Sequence, residues 1–186
     1  MSRKIVRLGV FETNSSSTHS ICIAVGGFAA PKSPVHFKLG EFSWCPQRYD
    51  TVEDRASYLY TALIDNYNHS GQRHKLDDYL RKIERYLKWD FGDNIGCTFE
   101  GIDKQPHEDF RPREIYVDVS KAKRCYGIDH CDSLRPFIDL VLSDCWRFRR
   151  YLFSDRSFIL TGNDNDDESD VAIDVNYCHE AYYKGN

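Results

Sequence analysis

TVEDRASYLYTALIDNYNHSG, residues 51–71, changes the period of the chain. Val52, Ala56, Leu59, Tyr60, Leu63, Ile64 and Tyr67 return at three- and four-residue spacing, which places them on one face of a helix. Thr51 supplies an N-cap hydroxyl, and Asp54, three residues on, supplies the carboxylate of a capping-box variant. NHSG stops this helix, and a second stripe follows from about Arg73, with Leu76, Tyr79, Leu80, Ile83, Tyr86 and Leu87, ending at Gly92. The spacing predicts a helical hairpin over 51–89.

On either side of the hairpin the period falls to two. Ile5, Val6, Leu8 and Val10 lie in a β-rich run, Ile21, Ile23 and Val25 alternate strictly, and Val35, Phe37 and Leu39 alternate again after the breaker GGFAAPKSP. Downstream, EIYVDVS, SFILTG and VAIDV read as strands. A third long helix is expected near 133–153, accommodating Pro136 in its first turn and placing Leu134, Phe137, Ile138, Val141, Cys145, Phe148 and Leu152 on one face. These elements predict an α+β fold: a single domain over 1–186, with a mixed or antiparallel sheet that holds the N-terminal and C-terminal strands and carries the helices.

Composition limits what such a fold can do. At 186 residues, with 41% hydrophobic and 29% charged, the chain is long enough for a real core and too interrupted by charge to span a bilayer. No membrane association and no export signal are expected, which points to the cytoplasm. Seven scattered cysteines without a C-x-x-C pair are expected as reduced thiols. Cys125, His130, Cys131, Cys178 and His179 match no familiar zinc spacing. A net charge of −4 gives no global attraction for nucleic acid, so any such contact must be local. The best local patch is CWRFRRYLF, where Arg147, Arg149 and Arg150 alternate with Trp146, Phe148 and Tyr151. That alternation fits an ordinary solvated helix face as well as a nucleic-acid surface.

Two polar stretches carry the remaining chemistry. TNSSSTHS, residues 13–20, reads as a loop between strands in which Asn14, Ser15, Ser16, Ser17 and Thr18 either satisfy one another through local turns or converge on a phosphate or a partner. His19 would then add a proton donor or a positive charge. A serine nucleophile lacks the G-x-S-x-G elbow. The second stretch, TGNDNDDESD, packs Asp164, Asp166, Asp167, Glu168 and Asp170 into seven residues. Such a cluster is either solvated or neutralised by a hard cation such as Mg2+ or Ca2+ on Asp164, Asp166 and Asp167, although its glycine precedes the acids, unlike an EF-hand. A phosphate grip facing a metal would suit phosphoryl or nucleotidyl transfer, with His19 and Asp164 as the catalytic pair.

RLGVFETNSSSTHSICI, residues 7–23, resembles the N-terminal signature of a family of small proteins of phages and mobile elements of Firmicutes. For some of these the resemblance implies anti-CRISPR function: binding and inhibition of a host Cas9-type nuclease, with or without its nucleic acid. An acidic loop suits a lysine- and arginine-rich channel built for phosphates. Two function classes therefore stand side by side, a nuclease inhibitor and a metal-dependent phosphoryl-processing enzyme.

Overall fold

Thr51 does begin a helix, and the helix it begins is the centre of the molecule. The computed structural model describes residues 17–28, 31, 34–43, 45–70, 73–92, 95–103, 116–117, 126–129, 134–163 and 181–185. Within them the Thr51 hydroxyl accepts from the Asp54 amide at 3.1 Å, while the Asp54 carboxylate accepts from the Thr51 hydroxyl at 2.6 Å and faces its amide at 3.4 Å. This reciprocal cap opens α1 (Val52–Ser70), and α2 (Arg73–Phe91) follows. Gly92, at φ +68°, takes the left-handed conformation that closes α2.

The expected single stripe understates α1. Arg55, Ala56, Tyr58, Leu59, Tyr60, Thr61, Ala62, Leu63 and Ile64 are all buried, so its middle is enclosed on every side. It touches α2, α3 (Arg135–Val141), α4 (Cys145–Phe153), β2 (Val35–Phe37) and β8 (Gly127–Ile128). One large core runs through these contacts, from Phe37 and Leu59 to Phe137, Phe148 and Ile159. Gly40 lies where the chain passes α1: a side chain there would meet the Phe42 ring at 2.8 Å and the Ser57 hydroxyl at 2.9 Å, while its amide donates to Thr61.

The sheet has the order β10-β1-β9-β4, made of β1 (Ser17–Ile23), β4 (Gln47–Tyr49), β9 (Phe158–Asn163) and β10 (Ala181–Gly185). Every pairing in it is antiparallel, and it joins N-terminal to C-terminal strands as expected. Short pairs complete the fold. β2 runs parallel to β5 (Cys97–Phe99), β3 (Glu41–Phe42) runs parallel to β8, and β6 (Ile102–Asp103) is antiparallel to β7 (Tyr116–Val117). The architecture is α+β. The run around Ile5–Val10 and the VAIDV stretch lie outside the described residues.

Three expectations change. The helix foreseen at 133–153 is two helices, because Asp144 leaves helical geometry at φ −150°, ψ 162° and its side chain caps the next helix by accepting from the Arg147 amide at 2.8 Å. The apolar period continues across this break, which is why the sequence hides it. Ser17, Thr18, His19 and Ser20 belong to strand β1 rather than to a loop. Cys22 is disulfide-bonded, not a reduced thiol, while Cys45, Cys97 and Cys145 stand outside any disulfide. Cys22 is fully buried among Ala24, Phe158 and Leu160, a cluster separate from the main core.

Arg55, only 2% exposed, holds three of these elements together. Its guanidinium donates to the carbonyl of Leu152 through Nη2 at 2.8 Å and Nε at 3.2 Å, and through Nη1 to the carbonyls of Asp50, at 2.7 Å, and Ser157. Tyr151 donates to the Arg55 carbonyl at 2.8 Å. Arg55→Met keeps much of the packing and strands those buried acceptors, each costing about 1–3 kcal/mol when unpaired, so denaturant unfolding should show a loss of about 3 kcal/mol or more. Thr51→Ala, which removes only the cap, should cost about 1 kcal/mol.

Candidate functional site

The strand register brings the ends of the two polar stretches together. Ser17 is the partner of Asn163 and Thr18 of Gly162, so the start of β1 and the end of β9 lie at one end of the sheet. Asn14, Ser15, Ser16, Asp164, Asp166 and Asp167 lie outside the described residues. Among the described residues there is no group of three or more His, Cys, Asp or Glu side chains able to hold a metal.

His19 is 1% exposed and faces α1, with Nδ1 3.0 Å from the Tyr58 hydroxyl. Its Nε2 is buried without a hydrogen-bond partner. Burial lowers its pKa to about 4, against a smaller opposing pull from the Asp129 charge, so the imidazole is neutral at pH 7. In this position it packs between sheet and helix and presents no positive charge to an anion.

The richest chemistry at the surface lies along the seam between α2 and α4. The α4 helix turns Phe148, Tyr151, Leu152 and Phe153 into the core and leaves Trp146 63% exposed. Arg149 lies on the flank toward α2, where its Nη1 is 3.7 Å from Oδ1 of Asp90. Its guanidinium carbon stands 4.5 Å from the centre of the Phe28 ring and 5.6 Å from that of Trp146, within cation–π range of both. Arg149 Nε is buried and has no hydrogen-bond partner. Phe28 is held there because Asp155 donates its amide to the Gly27 carbonyl at 3.1 Å and Phe28 bridges to Ser154. On the α2 side, Trp89, next to Asp90, is 81% exposed.

Beneath the aromatics the seam is closed chemically as well as sterically. Cys145 donates to Asp90 Oδ2 at 3.6 Å, and the Tyr86 ring packs at a tilt against Phe148. Burial pushes the Asp90 carboxyl above its ordinary value, with Arg149 pulling the other way. The Cys145 thiol rises to about 11 through burial and then the Asp90 charge, which leaves it protonated and unreactive at neutral pH. Arg147 braces the start of α4 by donating to the Ser143 hydroxyl at 2.9 Å, with Asp144 3.7 Å away.

Charge gathers on the same surface. Residues 81–91 and 144–153 carry seven arginine and lysine side chains against Glu84, Asp90 and Asp144, in a chain whose net charge is −4; Arg81, Arg147 and Arg149 have the carboxylates of Asp77, Asp144 and Asp90 beside them, and Lys88 and Glu84 lie toward the other flank of α2. Of the large hydrophobic side chains exposed among the described residues, Phe28 and Trp146 flank Arg149, and Trp89 is the sequence neighbour of its partner Asp90. The alternation at 146–151 pointed to α4, but Phe28 and Trp89 escaped notice. Trp89 had a legible signal, since it falls off the apolar stripe of its helix. A pocket of about 280 Å3 on the other flank of α2, between Leu87 and Cys97, is lined by only one carboxylate, Glu84, and one ammonium, Lys88.

Comparison with protein-family models, curated proteins and solved structures finds no match to the chain.

His19 makes stability depend on pH in a direction its burial fixes. Below the ordinary histidine pKa of 6.5 the unfolded chain takes up a proton that the folded imidazole refuses until about pH 4. Its contribution is therefore intact above pH 6.5 and lost as pH falls from there toward 4, on the order of 3 kcal/mol across the window. Urea unfolding at stepped pH should show this slope in the native protein and a flatter one in His19→Gln.

Proposed function

We propose that this protein works by binding rather than by turnover, as an inhibitor that occupies a host nuclease of the Cas9 type, with the α2–α4 seam as a main contact surface. The observation that carries the binding reading is the pair of Phe28 and Trp146 rings flanking Arg149, with the exposed Trp89 next in sequence to its partner Asp90. Exposed tryptophan and arginine are the residue types that concentrate binding energy in macromolecular interfaces, and leaving them in water without a partner is unfavourable for solubility. The nuclease as partner rests on the resemblance of residues 7–23. It agrees with a chain that separates its charge into an acidic tract at 164–170 and a basic helical face, because a nuclease holding its nucleic acid offers both signs.

The enzymatic alternative, with a Ser/Thr/His phosphate loop at 14–20 and a metal on the acidic tract, needs His19 to exchange a proton or carry charge. Its burial and depressed pKa work against both uses.

Binding and turnover differ in stoichiometry. Titrated into a DNA-cleavage assay with a Cas9-type nuclease of a Firmicutes host, the protein should stop cleavage only as it approaches the concentration of the nuclease. Inactivation by catalytic traces would end the binding reading. Trp89→Ala combined with Trp146→Ala should weaken inhibition by more than about tenfold while leaving the circular dichroism spectrum and unfolding midpoint in place, because both side chains stand in solvent.

A further inference from the structure

We infer that the α2–α4 seam is a site for single-stranded nucleic acid, with bases stacked on Trp89 and Trp146 and phosphates held by the arginines beside them. This deepens the binding reading above and rests on it in naming the seam as a contact surface.

Three features select this occupant. The first is charge. The seam is locally basic on a chain that is acidic as a whole, so an anionic partner is drawn to this face while the rest of the molecule repels it. The second is the interleaving of chemistry. Arg85 and Trp89 stand one helical turn apart and both are exposed, and on α4 the exposed Trp146 is followed directly by the half-exposed Arg147. An acidic protein surface satisfies the cations but gives the indole faces nothing flat to cover. A single strand offers a phosphate and a π-face at every nucleotide, and each base stacked on an aromatic side chain contributes substantially whatever its identity. The third is that the aromatic platform is preorganised. Arg149 is fixed between the Phe28 and Trp146 rings and held by Asp90, so Trp146 has a built support behind it instead of a free rotamer.

Duplex DNA fits less well, since its bases are already stacked and its groove edges call for hydrogen-bonding side chains that this face lacks in its aromatic centre. The seam should therefore prefer single strands and read little sequence.

The test uses the full chain and oligothymidylate as probe. Binding is followed by tryptophan quenching and by anisotropy of a labelled strand, in parallel with a duplex of equal length and with polyglutamate. The expected result is quenching by the single strand with affinity that falls steeply as salt rises, and much weaker binding of duplex and polyglutamate. Trp89→Ala and Trp146→Ala should each lose roughly tenfold, Trp146→Phe should retain most of the affinity, and Arg85→Gln with Arg147→Gln should both weaken binding and flatten the salt dependence.

The inference is overturned by no binding of the strand at about 100 µM in low salt, by equal binding of polyglutamate, or by unchanged affinity in the double tryptophan variant. The nuclease titration separates the two proposals. Inhibition without strand binding removes the nucleic-acid site and leaves the inhibitor. Strand binding without inhibition does the reverse. Loss of nuclease affinity in the tryptophan variants when no strand is present and none is bound assigns the seam to the protein partner instead, which also overturns the inference.

Discussion

A charged side chain in the core, Arg55, sets the positions of the elements on which the surface depends. Its guanidinium is buried, and its hydrogen bonds all go to main-chain carbonyls, those of Leu152, Ser157 and Asp50. Burial lowers its pKa below the ordinary guanidinium value, opposed by nearby charges that include Asp50, Asp54 and Glu53. The choice of acceptors explains how such a charge is tolerated. Leu152 lies in the last turn of α4, where carbonyls have no partner within the helix and the macrodipole is negative, so the cation satisfies an acceptor that would otherwise need water. Ser157 comes directly before β9, and Asp50 directly before the cap of α1. One planar group thereby fixes the end of a helix, the entry to a central strand and the start of the core helix.

That junction determines what reaches the surface. With the end of α4 tied to α1, the helix can bury Phe148, Tyr151 and Leu152 only by turning Trp146 outward and Arg149 toward α2. The segment after β1 is fixed by the same neighbourhood, since Ala24 donates its amide to the Ser157 hydroxyl and Gly27 accepts from the Asp155 amide. Phe28 therefore reaches Arg149 from a part of the chain more than a hundred residues away. The aromatic ring around Arg149 is a consequence of core packing, and its rigidity follows from that origin.

How much of this was legible in the sequence depends on whether a signal was local. The cap at Thr51, the stripe of α2 and the alternation at Ile21 and Ile23 are set by near neighbours, and each gave its element correctly. The break at Leu142–Asp144 was invisible because the apolar period runs straight through it, and only the capping geometry of Asp144 marks the new helix. Ser17–Ser20 read as a loop because hydroxyl side chains favour turns. Strand partners on both sides, β10 and β9, override that preference. Strand β10 itself, AYYKG, has too little alternation to announce itself. The site follows the same rule: Trp146 and its arginines are neighbours in sequence, whereas Phe28 meets them only in three dimensions.

The division of charge carries the functional argument one step further. A basic α2–α4 face and an acidic tract of five carboxylates within residues 164–170 give a net of −4 that describes neither. Beyond about 10 Å at physiological salt, exposed charges are screened, so a partner meets the local sign and not the sum. A purely basic chain of this size would bind any nucleic acid in the cell, and a purely acidic one any basic surface. Carrying both signs in one chain lets each oppose what the other attracts, which weakens non-specific binding to duplex DNA or to a bare basic protein. On the proposed reading it would favour an assembly that presents cationic protein and anionic strand together. Aromatic stacking then matters because it is the component that salt does not screen. On the proposed reading the tryptophans would hold the strand after electrostatic approach, and the two signs of charge would set which assembly is approached.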